Sequence, residues 1–174
     1  MRNETAANGT GVRGFFRDIR GGVVAAAVLL ACDVAFSGSY LMSIIVCPIW
    51  FLVSLIRNAI QRPGWCLALV RIGLPALTLG LVWINTDVQL KIAEANARRI
   101  VAACEAYHAA HGRFPEKLDE LVPNYMNSVP VAKYCLGPGS RFQYYSKQPL
   151  LWWEVFGFLR RIYDFNTRRW SYLD

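Results

Sequence analysis

Charged side chains are scarce in the first half of this chain. Asp33 is the only charged residue in the range 21–56, and Arg71 is the only one in the range 64–86. A water-soluble domain breaks its apolar runs with turns, whereas about 20 consecutive apolar residues can cross a bilayer as a helix. The lack of charge therefore argues against a soluble domain here and predicts a membrane region over residues 19–84.

Catalytic and cofactor motifs are missing as well. The chain contains no G-x-S-x-G, no phosphate-binding loop and no C-x-x-C. Asp119 and Glu120 are adjacent, so on a helix they point to different faces and do not form an acid–base pair. His108 and His111 follow Cys104 at helical spacing but lack the carboxylate motif of metalloproteases. We expect no enzyme activity, no metal site and no cofactor.

Three helical spans are predicted in the membrane region. A weak turn signal at residues 37–39 (Ser-Gly-Ser) divides the first apolar block into spans of about 19–36 and 41–56. The third span covers about 65–84. An alternative for the first block, one long tilted helix with a re-entrant piece, stays open.

Basic residues flank these spans on one side of the membrane. The turn at residues 37–40 has no charge, and the cationic residues near the span ends are Arg2, Arg13, Arg17, Arg20, Arg57 and Arg62. By the positive-inside rule, residues 1–18 stay in the cytoplasm and residues 85–174 are exported, in a bacterium across the inner membrane to the periplasm. Topology and lipid headgroups then explain much of the net charge of +7, so no nucleic-acid partner is expected.

The charges of Asp33 and Arg71 carry a high free-energy cost inside a bilayer. Charged residues there are usually paired, extend to the headgroups or have a function. One hypothesis is an intramembrane ion pair that holds the hairpin to the third span. The alternative is that Arg71 reaches the inner headgroups while Asp33 meets water near the turn.

The exported half is predicted to be α+β. A helical apolar face recurs at three- and four-residue steps at Ala93, Ala97, Ile100, Cys104, Tyr107 and His111. No Gly or Pro interrupts residues 81–111, so this helix should continue the third span, and Gly112 should end it. A short helix is expected over 116–126. Strands are expected at 142–145, 149–158, 160–165 and 169–173, in a small antiparallel sheet packed on the long helix.

Cys104 and Cys135 are the only cysteines in the exported half. In an oxidising compartment a disulfide between them would close a loop of about 30 residues and stabilise by about 2–4 kcal/mol. Against a disulfide, Cys104 also suits the apolar face of the helix.

A motif follows this helix in a recognisable order. Tyr107 and Gly112 precede a Phe-Pro pair at 114–115, spaced leucines, and a Tyr and then Val-Pro step at 125–130. This order resembles the helix-to-loop junction of pilins and pseudopilins, and the likeness covers about residues 80–174. It implies a pilin-like fold for the exported half.

Two departures from a pilin matter. At residues 13–15 (Arg-Gly-Phe) the chain matches a prepilin cleavage site, yet the fifth mature position would be Ile19 in place of Glu. The pilin-like helix is also the third span, not the only one. A multispan chain with this domain is similar to type IV pilin accessory proteins, which implies a protein that binds, stabilises or regulates a pilin.

Gly73, Ala76 and Gly80 offer a small-residue face for contact with a partner helix, or for packing on the chain's own hairpin. Two other functions stay open. One is a membrane-anchored immunity protein that masks a periplasm-acting toxin. The other is a minor pseudopilin-like subunit of a secretion assembly, processed at Gly14.

Overall fold

The computed structural model describes residues 4–157 and 159–173, which form three long helices followed by a small sheet. The helices are α1 (Glu4–Leu30), α2 (Leu41–Gln61) and α3 (Trp65–His111), and α1 continues into a π-helical segment, Ala31–Ser37. The strands are β1 (Gln143–Tyr145), β2 (Leu150–Phe156), β3 (Leu159–Asp164) and β4 (Arg169–Leu173). The fold is α+β, as the sequence predicted.

All three helices are long and apolar enough to cross a membrane, which suggests a membrane location. Two boundaries differ from the expected ones. Helix α1 begins at Glu4, inside the segment expected to precede the first span, and α2 continues past residue 56 to Gln61. Arg62 then adopts a left-handed φ of 44°, so that only residues 62–64 link α2 to α3.

The first apolar block forms two separate helices, not one bent helix. The break between them falls at residues 38–40, close to the predicted turn. Gly38 has a left-handed φ of 59°, and a Cβ there would lie 3.1 Å from Sγ of Cys135. Glycine therefore meets both the backbone conformation and the close approach of the neighbouring chain. Helices α1 and α2 both pack against α3.

Helix α3 is a single helix of 47 residues, about 70 Å long. It ends at His111 as predicted: Gly112 adopts a φ of 70° and its N–H donates to the carbonyl of His108 at 2.8 Å. The apolar segment and the amphipathic segment of the sequence are therefore one continuous element.

The sheet is antiparallel, with strand order β1-β2-β3-β4. Leu151, Tyr163 and Trp170 are register partners on three adjacent strands and face α3 with Trp153. They close a core on the helical face that was predicted from its periodicity. We call α3 from Gln89 onward, together with residues 112–173, the head.

The helix expected over 116–126 does not form. Only Leu118–Leu121 is helical, as a 3₁₀ turn. Val122 is extended, with φ −97° and ψ 137°, because Pro123 disfavours the α conformation of the residue before it.

Candidate interaction surface and hairpin junction

One side of α3 is buried from Pro75 to Tyr107. The hairpin of α1 and α2 covers the first half of this side, and the head covers the second half. The buried residues recur at helical spacing: Pro75, Thr78, Val82, Thr86, Gln89, Ala93, Asn96, Ile100, Cys104 and Tyr107. Because residues three and four positions apart share a side of a helix, a single side of α3 holds the chain together.

The opposite side of α3 is exposed along the same length. Its residues also recur at multiples of three and four, and we call them the lateral face: Gly73, Leu77, Ile84, Lys91, Ala95, Arg98, Ala102 and Ala109. The part beside the hairpin is apolar, and the part beside the head is small and basic. No element in the described part of the chain covers this face.

The predicted small-residue positions lie on or beside the lateral face. A Cβ added at Gly73 or at Gly80 would have no atom within 4 Å, apart from the backbone of its own helix. Ala76 is exposed between them. The hairpin therefore does not fill this groove, and packing of the two glycines on the chain's own hairpin is contradicted.

The turn end of the hairpin is bonded to the head through residues 131–141, the junction loop. The N–H groups of Leu136 and Gly137 donate to the carbonyls of Ala35 and Phe36, both at 2.9 Å. Nearby, the ring of Tyr40 stacks on that of Phe156 with centroids 4.6 Å apart. Hairpin and head are therefore in direct contact.

Polar side chains that the sequence interpretation did not single out fix the junction loop to α3. The amide of Gln89 accepts from the backbone N–H of Tyr134 at 2.7 Å and donates to its carbonyl at 3.3 Å. Asn96 donates to the carbonyl of Val131 at 3.0 Å. An available signal was the presence of amides on the otherwise apolar side of the helix.

The hypothesised ion pair between Asp33 and Arg71 does not form. Asp33 is fully buried, and its carboxylate accepts from the backbone N–H groups of Met42 and Ser43 at 3.1 and 2.6 Å. Arg71 instead donates to the side chain of Gln61 at 2.8 Å. Asp33 thus caps the start of α2 while Arg71 lies beside its end, about 30 Å away along the helix.

The predicted disulfide between Cys104 and Cys135 is also wrong. Both thiols are free, and Cys104 is buried in the core, where burial raises its pKa to about 12. Tyr134, the neighbour of Cys135, is bonded to Gln89, which lies 15 residues (about 22 Å) before Cys104 on α3. A disulfide cannot span this separation.

Glu120 organises the far end of the head. Its carboxylate accepts from the hydroxyl of Tyr107 at 2.8 Å and from the backbone N–H groups of Glu116 and Lys117 at 3.0 and 3.2 Å. These bonds, chiefly the one from Tyr107, lower the pKa of Glu120, and the carboxylate in turn raises the pKa of Tyr107. The cluster joins the last turn of α3 to the segment that follows it.

The two histidines belong to aromatic stacks. His108 lies against Phe114 with ring centroids 4.3 Å apart, and His111 lies against Tyr107 at 4.2 Å. Within residues 4–157 and 159–173, no group of three His, Cys, Asp or Glu side chains is arranged to hold a metal ion.

Comparison with protein-family models, curated proteins and solved structures finds no match for this chain.

Because Cys104 and Cys135 are free and far apart, we expect reduction to leave the number of reactive thiols unchanged. The protein should be denatured and alkylated with and without prior reduction, and the products compared by intact mass. Two additional alkyl groups that appear only after reduction would contradict the separation of the two cysteines.

Tyr107→Phe is expected to destabilise the head at neutral pH by removing a hydrogen bond to ionised Glu120. The lowered pKa of Glu120 makes a stabilising contribution that is present above its ordinary pKa and is lost as the pH falls through the lowered value. The difference in melting temperature between wild type and variant, followed by tryptophan fluorescence, should therefore narrow from pH 7 toward about pH 3.

Tyr125→Phe is the matched control, because Tyr125 packs against Tyr107 and its hydroxyl has no hydrogen-bond partner among the described residues. If the melting temperatures of wild type and Tyr107→Phe differed by the same amount across this pH range, the role given to Glu120 would be contradicted.

Proposed function

We propose that this chain is an inner-membrane accessory protein that binds, stabilises or regulates a type IV pilin through the lateral face of α3. In this proposal α1, α2 and the first half of α3 cross the bilayer, the N-terminus is cytoplasmic, and the pilin-like head is periplasmic. The open lateral face, which runs from the apolar part of α3 to its end, is the observation that carries the proposal.

The first argument concerns packing within lipid. Helices associate there through close contact at small residues, because lipid tails give no hydrophobic driving force between them. Gly73 and Gly80 leave a groove that no atom of this chain's hairpin enters. Leu77 and Leu81 border it and are exposed. A partner helix could approach α3 closely at this place.

The second argument concerns the exposed part of the same face. Beyond the apolar segment the lateral face continues through Ala95, Ala102 and Ala109, whose short side chains would also permit a near-parallel helix to lie alongside. Lys91 and Arg98 pair with Asp87 and Glu94 of the same helix at 2.8 and 2.9 Å. Such exposed pairs are weak, about 0.2–1 kcal/mol, and a partner could rearrange them.

The third argument separates an accessory role from that of a filament subunit. A pilin must leave the membrane with its single long helix, whereas α3 is buried on one side by α1 and α2. The junction loop adds backbone hydrogen bonds from Leu136 and Gly137 to the hairpin. Extraction of α3 would break these contacts, so the chain would act beside a pilin and remain in the membrane.

Replacement of both Gly73 and Gly80 by Leu should fill the groove and reduce recovery of the pilin. Removal of a close helix contact worth about 1.4 kcal/mol corresponds to about tenfold weaker association. The measurement is the amount of pilin co-purified from detergent-solubilised membranes of cells that contain both proteins. Ala25→Leu with Ala27→Leu adds comparable bulk at two exposed positions of α1 and should leave recovery of the pilin unchanged. Equal recovery with both pairs of variants would refute the lateral contact.

A C-terminal alkaline phosphatase fusion is expected to be active, because three crossings would place the head outside the cytoplasm, where that enzyme forms its disulfides. A matched fusion placed after Gln61, between the second and third crossings, should be inactive. Activity in the opposite pattern, or release of the chain from membranes at alkaline pH, would refute the proposed topology.

A further inference from the structure

A cavity of about 220 Å³ lies where the hairpin meets the head. Its walls come from the hairpin turn, the junction loop and the end of β2, and include Phe36, Leu41, Lys133 and Glu154. Pockets for drug-sized ligands typically have volumes of about 300–1,000 Å³, so this cavity is smaller than those. It suits a small polar group.

Lys133 gives the cavity a buried cation. Its residue is 2% exposed, the most buried lysine or arginine among the described residues. The ammonium donates to the carbonyl of Val155 at 3.1 Å and has no other side-chain hydrogen bond or ion pair in the described part of the chain. An ammonium has three N–H donors, so two remain for a ligand. Burial lowers the pKa of Lys133, and the nearby charges of Cys135 and Glu154 partly oppose that shift.

Glu154 gives the same cavity an anion. Its carboxylate lies against Gly139, where a Cβ would come within 2.7 Å of Oε2, so the absence of a side chain at residue 139 makes room for it. Glu154 has no ion-pair partner among the described residues. Arg160, its register partner on β3, instead places its guanidinium over the ring of Trp152 at 4.6 Å.

Two apolar residues of the cavity wall indicate its level relative to the proposed membrane. Phe36 and Leu41 are 61% and 39% exposed and end the two arms of the hairpin, at the place where a spanning hairpin meets lipid headgroups. We propose that this cavity binds the headgroup of a phosphatidylethanolamine molecule, with Lys133 contacting the phosphate, Glu154 the ammonium, and Phe36 and Leu41 the first part of the acyl chains.

The charges of Lys133 and Glu154 favour the phosphatidylethanolamine headgroup over anionic and choline headgroups. A purely anionic headgroup would satisfy Lys133 but bring a negative charge beside Glu154. A choline headgroup carries the right charges but no N–H group, so it cannot donate hydrogen bonds to the Glu154 carboxylate. Ethanolamine supplies both the charge and three N–H donors, which makes its bonds charge-assisted.

The test uses the purified full-length chain, stripped of lipid in detergent and titrated with dioleoyl phosphatidylethanolamine, phosphatidylcholine or phosphatidylglycerol. Bound lipid is counted by native mass spectrometry. Loss of a charge-assisted hydrogen bond typically changes affinity by about tenfold or more, so ethanolamine lipid should bind about tenfold tighter than choline lipid. Glu154→Gln should remove most of that preference, and Lys133→Met should weaken binding of both lipids.

Glu116→Gln and Lys147→Met change exposed groups of the same type and should behave as wild type. Cys104 provides a check of folding, because its buried thiol should stay unreactive to maleimide in every variant used. Should Lys133→Met fail this check, Glu154→Gln alone decides. An unchanged ethanolamine preference in Glu154→Gln, equal binding of the lipids by wild type, or tightest binding of phosphatidylglycerol would overturn the proposal.

This inference rests on the proposed membrane topology but not on the pilin partner. Release of the chain from membranes at alkaline pH would overturn both proposals, whereas stable insertion without ethanolamine preference would overturn the lipid site alone. Water-soluble glycerophosphoethanolamine serves as a competitor that lacks acyl chains. Displacement of the lipid by equimolar competitor would refute a lipid as the natural occupant, and resistance to it would support one.

Discussion

Backbone groups at the turn of the hairpin impose the constraint on which the rest of the fold depends. The end of one helix and the start of the next leave carbonyl and N–H groups without partners inside those helices. Here the carbonyls of Ala35 and Phe36 accept from the junction loop, and Asp33 accepts from the first N–H groups of α2. Because the head supplies donors to the hairpin, the two parts stabilise one another, and the head lies directly above the turn.

This arrangement divides α3 into a side used for folding and a side left open. The hairpin and the sheet, although unrelated in structure, cover the same side of one continuous helix, since Val82 and Ile100 are both fully buried. The other side stays exposed from Gly73 to Ala109. In the proposed accessory role, the open side would allow α3 to bind one neighbour laterally.

Local patterns predicted the elements of this fold well and its long-range contacts poorly. The helical periodicity from Ala93 to Tyr107 and the continuity of α3 through residue 111 follow from neighbouring residues, and the structure has both. The surroundings of Cys135 and Lys133 depend instead on segments that lie far apart in sequence, and Asp33 bonds to the start of the next helix, nine and ten residues on. A charge in an apolar run indicates that a partner is needed but not which one, and the structure contradicts both the hypothesised ion pair and the predicted disulfide.

Gln89 lies on α3 between the part covered by the hairpin and the part covered by the sheet, and its side chain makes two hydrogen bonds to Tyr134 of the junction loop. Because α3 is one uninterrupted helix with exposed residues at helical spacing, the open sides of its two halves point in the same direction. A neighbour that touches both must itself be nearly straight over about 50 Å, the length from Gly73 to Ala109. The curvature of a candidate helix would thus limit whether it can contact both halves of the lateral face, whatever its individual side chains.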